Sequence, residues 1–233
     1  MGKLSDVKQH YYLSNYRRRA GILTVWLLAS LALAAAAVGE EPTYTSQRYQ
    51  FTLASPPGYD VQASSPHDIH LSREGKAVLS MRVDDQLVWF IHHLINPDQS
   101  MIISRPGDDA WAKLVQKARE DETYFRRYAR QQVVNWCAAD GPDSSLHCQD
   151  VDREERFTSQ HGLVCLEFHL TMIREDSAGK IVQKKPVGPV YAVYVTTRER
   201  PLVLVVAPPP GTRAPADTIK AAKELINSIQ PLP

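Results

Sequence analysis

The feature that most constrains this chain is an uncharged run of nineteen residues from Ala20 to Val38. Most of its side chains are aliphatic, with Trp26 in its first half and Leu33 in its second. An α-helix rises about 1.5 Å per residue, so a helix of this length covers a bilayer hydrocarbon core of about 30 Å. The run therefore predicts a membrane-spanning segment, with boundaries at 20–39.

The charges on the two sides of this run differ in sign. Arg17, Arg18 and Arg19 precede it, and Glu40 and Glu41 follow it. Basic flanks of membrane segments stay in the cytoplasm. The pattern predicts a cytoplasmic region at 1–19 and contact with the lipid bilayer through residues 20–38. The rest of the chain is then a single-pass domain on the periplasmic or extracytoplasmic side of the cytoplasmic membrane.

The same segment also fits a signal peptide, because small residues at 35–37 and 37–39 match the positions that a signal peptidase reads. Against cleavage, nineteen residues are long for the region before the apolar run. The run itself also exceeds the usual length of about 7 to 15 residues. Both interpretations stay open: a retained anchor, or cleavage after Ala37 or Gly39 to leave a periplasmic protein.

Charge is distributed unevenly along the chain. The sequence has 27 Lys and Arg against 26 Asp and Glu, a formal net charge of +1. Five of these basic residues and one acid lie in residues 1–19, so the exported part carries 22 basic and 25 acidic groups. Nucleic-acid binding needs clustered Lys and Arg, and the exported part has no such stripe. Nucleic acid is therefore not predicted as a partner.

Residues 49–233 are predicted to form one exported domain after a polar tether at 40–48. Helical periodicity predicts one helix from Asp108 to about Arg130 and another from Asp217 to Ile229. Leu202–Ala207 is apolar on both faces, which is typical of a central strand. Alternation of apolar and polar residues predicts the other strands, at Tyr49–Leu53, Asp60–Ser65, Ala77–Val83, Leu163–Met172, Lys180–Lys184 and Val190–Thr197.

The segment from Leu87 to Ile91 is apolar without alternation. Such a run is either a buried strand or an exposed docking surface, and periodicity does not separate the two. Large apolar patches are uncommon on soluble surfaces, which favours the core. As a docking surface it would present Leu87, Trp89, Phe90 and Ile91.

Three cysteines lie in the exported part, where thiols tend to oxidise. Cys137 and Cys148 bracket a Gly-Pro turn within the irregular stretch 136–162. A disulfide closing this short loop would stabilise the fold by about 2 to 3 kcal/mol in the chain-entropy model. Cys137 and Cys148 are therefore the candidate disulfide, with Cys165 paired to either of them as the alternative.

Residue types that bind zinc occur at Cys137, His147, Cys148 and Cys165, but their spacing fits no zinc-finger or ribbon pattern. We therefore predict no metal or other cofactor. A metal- or thiol-dependent enzyme that uses His147, Cys148, Cys165 or His169 remains the alternative hypothesis.

Cys165, Glu167 and His169 stand two residues apart on the predicted strand and so share one face. A nucleophile with a base nearby is the minimum for covalent catalysis. Side chains two apart on a strand are separated by about 7 Å, which is beyond direct hydrogen bonding. The row is therefore interpreted as a polar face of a sheet, and no catalytic residue is predicted.

The order of elements resembles a known family. An aromatic strand at Tyr49–Phe51 leads to a turn at Pro57-Gly58, and the chain closes with a helix containing Ile226-Asn227-Ser228-Ile229. Over most of residues 48–230 this pattern resembles the PsbP/Mog1-like proteins. The resemblance implies an α+β fold with an antiparallel sheet sandwiched by helices, here preceded by one N-terminal hydrophobic helix and carrying an insertion near 136–162.

The same resemblance implies mostly non-catalytic members: accessory subunits docked on membrane complexes, assembly factors and small binding proteins. With the export segment, it predicts a membrane-anchored accessory, scaffold or assembly domain that docks on a membrane-protein complex or another protein. The candidate contact surfaces are Leu87–Ile91 and the stretch 136–162. The alternatives are the enzyme described above and a cleaved periplasmic ligand-binding protein.

Overall fold

A computed structural model describes residues 43–96, 108–138, 146–197 and 200–232. The predicted membrane segment, with Ala20, Trp26, Leu33 and Val38, lies outside the described residues. Among the helices that are described, none has the length and hydropathy needed to cross a membrane. Contacts group residues 42–233 into one compact unit.

The described residues form an α+β fold with fourteen elements. The helices are α1 (Leu87–Ile95), α2 (Asp109–Glu120), α3 (Glu122–Ala138) and α4 (Ala216–Ser228). The strands are β1 (Thr43–Ser46), β2 (Phe51–Ala54), β3 (Asp60–Ala63), β4 (Asp68–Arg73), β5 (Lys76–Asp84), β6 (His147–Thr158), β7 (Val164–Glu175), β8 (Ile181–Thr196), β9 (Pro201–Ala207) and β10 (Gln230–Pro231).

Seven strands form one antiparallel sheet in the order β3-β4-β5-β9-β8-β7-β6, and β1, β2 and β10 form a small second sheet. The strand β9 lies in the centre of the large sheet, and all of its residues are buried. This confirms the prediction made from the apolar residues on both faces of Leu202–Ala207. A strand buried on both sides has no need of a polar face.

The large sheet separates two hydrophobic cores. On one side, Tyr191, Val193 and Val195 of β8 pack with α4 and the small sheet. On the other side, Val190, Ala192 and Tyr194 of the same strand pack with α1 and α3. Successive side chains of a strand point to opposite faces, so the alternation in β8 divides the protein into these layers.

The apolar run at Leu87–Ile91 is the first part of helix α1, so it contributes to the core, the favoured interpretation, as a helix rather than as a buried strand. Leu87, Val88 and Ile91 are fully buried, and Trp89 and Phe90 between them are partly exposed. This spacing is helical, but every residue of the run is apolar, so no polar face marked the period in the sequence. Tertiary packing therefore decided which side of the run became the core.

The predicted helix from Asp108 to Arg130 is two helices, α2 and α3, separated by Asp121. The backbone of Asp121 is extended, with φ −123° and ψ 97°. Its carboxylate accepts the backbone N–H of Thr123 at 2.9 Å, which satisfies one of the free donors at the start of α3. The Thr123 hydroxyl donates to the same carboxylate, and this bond, followed by the backbone hydrogen bond, lowers the pKa of Asp121 because both stabilise the ionised form.

The stretch 136–162, which the sequence indicates is irregular, contains regular secondary structure. Helix α3 continues to Ala138, and most of the remainder is β6, an edge strand of the large sheet paired along β7 from His147 to Thr158. The strand carries a charged run at 152–156. Charged residues protect sheet edges from further pairing, and here they removed the apolar alternation that would have indicated a strand.

Two further boundaries differ from the predictions. The strands expected at Lys180–Lys184 and Val190–Thr197 are one long strand, β8, with a cis peptide bond between Gly188 and Pro189. Residues Thr43–Ser46, expected to be part of the tether, are strand β1 and pair with β2. The long strand Leu163–Met172 and the closing helix are confirmed as β7 and α4.

Candidate functional site

Helices α1 and α3 enclose a groove on the outer side of the helical layer. Its volume is about 530 Å³. Phe90 and Leu94 of α1 line one side. The other side is lined by α3, through Arg127, Arg130, Gln131, Val134 and Asn135. We call this feature the α1–α3 groove.

The two walls of the groove follow from helical spacing. Phe90 and Leu94 are four residues apart and therefore lie on one face of α1, beside the buried face that holds Leu87 and Ile91. The Phe90 ring packs against the Tyr128 ring of α3, with 5.0 Å between their centroids. Phe90, Leu94 and Val134 all remain partly exposed, so the floor of the groove is apolar and accessible.

The rim of the groove is cationic. Arg127 is exposed and forms no ion pair with any residue that the structure describes. Arg126, the residue before it, is paired with Glu154 of β6. Arg130 also lines the groove, and it has a contact within the protein. An apolar floor beneath an unpaired guanidinium suits a partner that offers both apolar side chains and carboxylates.

The structure divides the four residues predicted as a docking surface. Leu87 and Ile91 are 0% exposed and belong to the core between the helices and the sheet. Trp89 packs edge-on against Trp111 of α2, with 5.6 Å between the ring centroids. Phe90 alone lines the groove, so a contact surface in this region consists of α1 and α3 side chains that the sequence did not bring together.

A buried hydrogen-bond network holds α1 and α3 in place. Asp84, at the end of β5, is 7% exposed. Its carboxylate accepts the hydroxyl proton of Tyr128 at 2.6 Å and the backbone N–H of Gln86 at 2.8 Å. Burial, followed by the hydrogen bond to Asp84 and its charge, raises the pKa of Tyr128, so Tyr128 stays a donor. The network fixes the start of α1 and the middle of α3, the two walls of the groove.

The cysteines do not form a metal or thiol site with their predicted neighbours. Cys137 and Cys148 are joined in a disulfide with 6.0 Å between their Cα atoms, which confirms the predicted pairing. Cys165 is buried on the opposite side of the sheet, where its thiol donates to the Leu163 carbonyl at 3.4 Å. Burial raises the pKa of Cys165 to about 12, so it is a thiol rather than a nucleophilic thiolate near neutral pH.

Glu167 and His169 do make contact, although the predicted spacing of about 7 Å argued against it. His169 Nε2 lies 3.2 Å from Glu167 Oε1. The register of β7 against β8 is interrupted between Phe168 and Leu170, so His169 lies opposite the Gly188–Pro189 step of β8. Such an irregularity changes the direction of a side chain, and a strictly periodic strand does not predict it.

The Glu167 carboxylate also binds Lys223 of helix α4. Lys223 Nζ lies 2.9 Å from Glu167 Oε2 and 5.9 Å from the centre of the Tyr191 ring. Glu167 is 7% exposed, and the Lys223 ammonium compensates the charge of its carboxylate. Burial, and secondarily the charge of Glu167, raises the pKa of Tyr191. These contacts attach α4 to the sheet, and the groups form no nucleophile–base pair.

The metal-ligand types are likewise dispersed. Within the described ranges, no group of three or more His, Cys, Asp or Glu residues is arranged to hold a metal ion. His147, the remaining member of the predicted set, is exposed at the start of β6.

Comparisons with known proteins give little further guidance. No protein-family model matches this chain, and no curated protein sequence matches it. Among solved structures, a protein from Bacteroides thetaiotaomicron is 8% identical over 84% of this chain and 50% of its own, with a TM-score of 0.27. The chain thus spans about half the length of that protein. A likeness at this level supports no argument about fold or function.

Proposed function

We propose that this protein is a non-catalytic accessory or scaffold domain that is exported and docks on a membrane-protein complex. Residues 20–38 would anchor it in the cytoplasmic membrane, with the domain on the periplasmic or extracytoplasmic side. The observation that carries the docking proposal is the α1–α3 groove, where Phe90, Leu94 and Val134 remain accessible beside an unpaired Arg127. Concave apolar surfaces with a few polar groups on the rim are typical of binding sites.

The shape and charge of the groove define the partner segment. Two antiparallel or crossing helices that leave a groove between them accommodate an amphipathic helix through apolar anchors spaced three or four residues apart. Arg127 at the rim favours carboxylates on the polar side of that helix. The proposed partner segment is therefore an acidic amphipathic helix belonging to the membrane-protein complex.

We also propose that the fold is PsbP/Mog1-like. A PsbP/Mog1-like domain has an antiparallel sheet between layers of helices. Here α1 and α3 cover one face of the large sheet, and α4 covers the other. This layering supports the family resemblance, and it is consistent with accessory proteins that act through their surfaces.

The docking proposal is tested by charge reversal at the groove. In membranes of cells that make the full chain, extracted in mild detergent and separated on native gels, the wild-type protein is expected to migrate in a complex larger than its own mass. Arg127→Glu is expected to reduce the bound fraction by on the order of tenfold, because a like charge then faces the carboxylates of the partner. Arg127 is exposed, so the folded domain tolerates this change.

Lys113→Glu is the matched control, because Lys113 is an exposed cation on α2 away from the groove. It reverses the same charge and is expected to leave the complex intact. A wild-type protein that migrates alone at its own mass would refute docking. Equal losses in Arg127→Glu and Lys113→Glu would show that the groove is not the contact surface.

A further inference from the structure

The hairpin that joins β7 to β8 ends in an exposed apolar tip. Val182 is 53% exposed and Ile181 is 38% exposed. Only one other large hydrophobic side chain in the described part of the chain, Ile95, is exposed to this degree. Exposed aliphatic residues are ordinary when scattered singly, but here two are adjacent at the end of one hairpin. We call residues 174–185 the hairpin tip.

The register of the hairpin leaves Val182 unpaired. Glu175 lies opposite Ile181 and Arg174 lies opposite Gln183, so Val182 is an extra residue in β8. A β-bulge of this kind directs the extra side chain out of the regular pleat. Strand β9 pairs with β8 only from Tyr191 onward, so among the described strands only β7 pairs with this end of β8.

Basic side chains surround the apolar pair. Arg174, Lys180 and Lys184 are exposed, and Lys185 is partly exposed. None of these four cations forms an ion pair with another described residue. The two acids of the tip are Glu175 and Asp176.

The Asp176 side chain accepts hydrogen bonds within the turn. Its carboxylate accepts the backbone N–H groups of Ala178 and Lys180, both at 2.9 Å. With this carboxylate and Glu175 both counted, the four cations still give residues 174–185 a formal charge of +2.

We infer that the hairpin tip binds the surface of an anionic lipid bilayer. Aliphatic side chains at the tip enter the boundary between headgroups and acyl chains, and the surrounding cations bind acidic headgroups. The inference rests on the membrane anchoring in the proposed function, but not on docking at the groove.

A bilayer fits this tip better than an added β-strand from another protein. Lysines, prolines and bulges prevent strand addition at a sheet edge. This end of β8 has all three, in Lys184 and Lys185, Pro186, and the bulge at Val182. A second copy of the chain is also disfavoured, because it would bring two sets of cations together.

The experiment places an environment-sensitive dye on the tip. The full chain with Val182→Cys is labelled with a maleimide dye and assembled into nanodiscs made of phosphatidylcholine, with or without phosphatidylglycerol. The native cysteines do not interfere, because Cys137 and Cys148 are oxidised and Cys165 is buried. The matched control carries the dye at Lys113→Cys, on exposed helix α2.

In phosphatidylglycerol discs the dye at position 182 is expected to shift to shorter emission wavelengths and to be quenched by nitroxide lipids. The dye at 113 is expected to do neither. Adding Lys180→Glu and Lys184→Glu is expected to reduce the bound fraction of the tip by on the order of tenfold or more, since each basic residue near an anionic surface contributes about 1 kcal/mol.

A dye at position 182 that stays in water in both kinds of disc overturns the inference, and so does quenching equal to that at position 113. These outcomes leave docking at the groove unaffected, because native gels measure it separately. A chain that is cleaved after residue 37 or 39, and so is not retained in the discs, overturns the anchor together with this inference.

Discussion

Two buried tyrosines differ in whether the hydroxyl group has a hydrogen-bond partner. Tyr128 donates its hydroxyl proton to the buried Asp84 carboxylate at 2.6 Å. The Tyr191 hydroxyl is also buried, yet it has no hydrogen-bond partner among the described residues. A buried polar group without a partner costs free energy, whereas a hydrogen bond to a charged acceptor is among the more stabilising ones.

Substitution of each tyrosine by phenylalanine is expected to change the free energy of unfolding by different amounts. Tyr128→Phe is expected to lower the free energy of unfolding by about 1 to 3 kcal/mol, because Asp84 then loses its hydroxyl donor in a buried site. Tyr191→Phe is expected to leave stability unchanged or to increase it slightly, because no hydrogen bond is lost. Urea unfolding of the two purified variants measures both effects.

The two variants are matched controls for each other, since each removes one hydroxyl from a buried aromatic ring. Equal destabilisation by the two substitutions would contradict this interpretation. A large loss in Tyr191→Phe alone would indicate that the Tyr191 hydroxyl has a partner, such as a bound water molecule.

At the scale of elements, helix α3 is attached to the edge strand β6 by several links. Arg156 forms two hydrogen bonds with Glu122, at 2.7 and 2.9 Å. Arg126 pairs with Glu154, and the Cys137–Cys148 disulfide joins the end of α3 to the start of β6. These links hold α3, which forms one wall of the α1–α3 groove, against the large sheet.

The pair of Glu122 and Arg156 makes stability depend on pH. The hydrogen bonds from Arg156 lower the pKa of Glu122 in the folded protein. The pair therefore stabilises the fold above the unfolded pKa of about 4.3, and this contribution is lost as the pH falls through the lower folded value. Glu122→Gln is expected to cost about 0.5 kcal/mol at pH 7, because the pair is largely exposed.

Chemical denaturation of the wild-type protein and of Glu122→Gln at several pH values tests this prediction. The difference between them should be present at pH 7 and should decrease below about pH 4. Glu120→Gln, on the exposed end of α2, is the control and should show a smaller difference. A difference between wild type and Glu122→Gln that grows on acidification would contradict the assignment.

At the scale of the whole molecule, the central prediction concerns export. Residues 20–38 are expected either to remain as a membrane anchor or to be removed after Ala37 or Gly39. The mass of the mature chain distinguishes these two products. In cells with a permeabilised outer envelope, added protease is expected to reach residues 49–233 while the cytoplasmic membrane is intact.

A cytosolic enzyme released only on complete lysis is the control for that experiment. A domain that stays protected until the cytoplasmic membrane is broken would contradict the predicted topology, and with it the proposed function. The disulfide agrees with an oxidising location, because structural disulfides are uncommon in reducing cytosol.

Much of the fold was predictable from local pattern. The alternation in β5 and β7, the apolar run of β9 and the amphipathic stripe of α4 each specify an element without reference to the rest of the chain. The Cys137–Cys148 pairing was also accessible, because a short loop closes at little entropic cost. The strand β6 and the helix α1 were missed, since one lacks apolar alternation and the other lacks a polar face.

The candidate site was not accessible in the same way. Phe90 could be singled out as part of an apolar run, but apart from Leu94 the residues that line the groove with it come from α3, about 40 residues later in the sequence. The contact between Glu167 and His169 depends on a register irregularity, and the link to Lys223 depends on where α4 docks. No spacing rule within one segment encodes any of these contacts.

The sequence by itself determined a mixed α+β domain with a central apolar strand, predicted an N-proximal segment suited to a bilayer, and named Cys137 and Cys148 as the candidate disulfide. Hydrophobic length and periodicity are local quantities, and they need no knowledge of distant residues. Only the tertiary structure decided that Leu87–Ile95 is a helix, that Cys165 lies apart from the other cysteines, and that α1 and α3 form a groove. Burial and proximity arise when segments far apart in sequence pack together, so these features exist only in the folded chain.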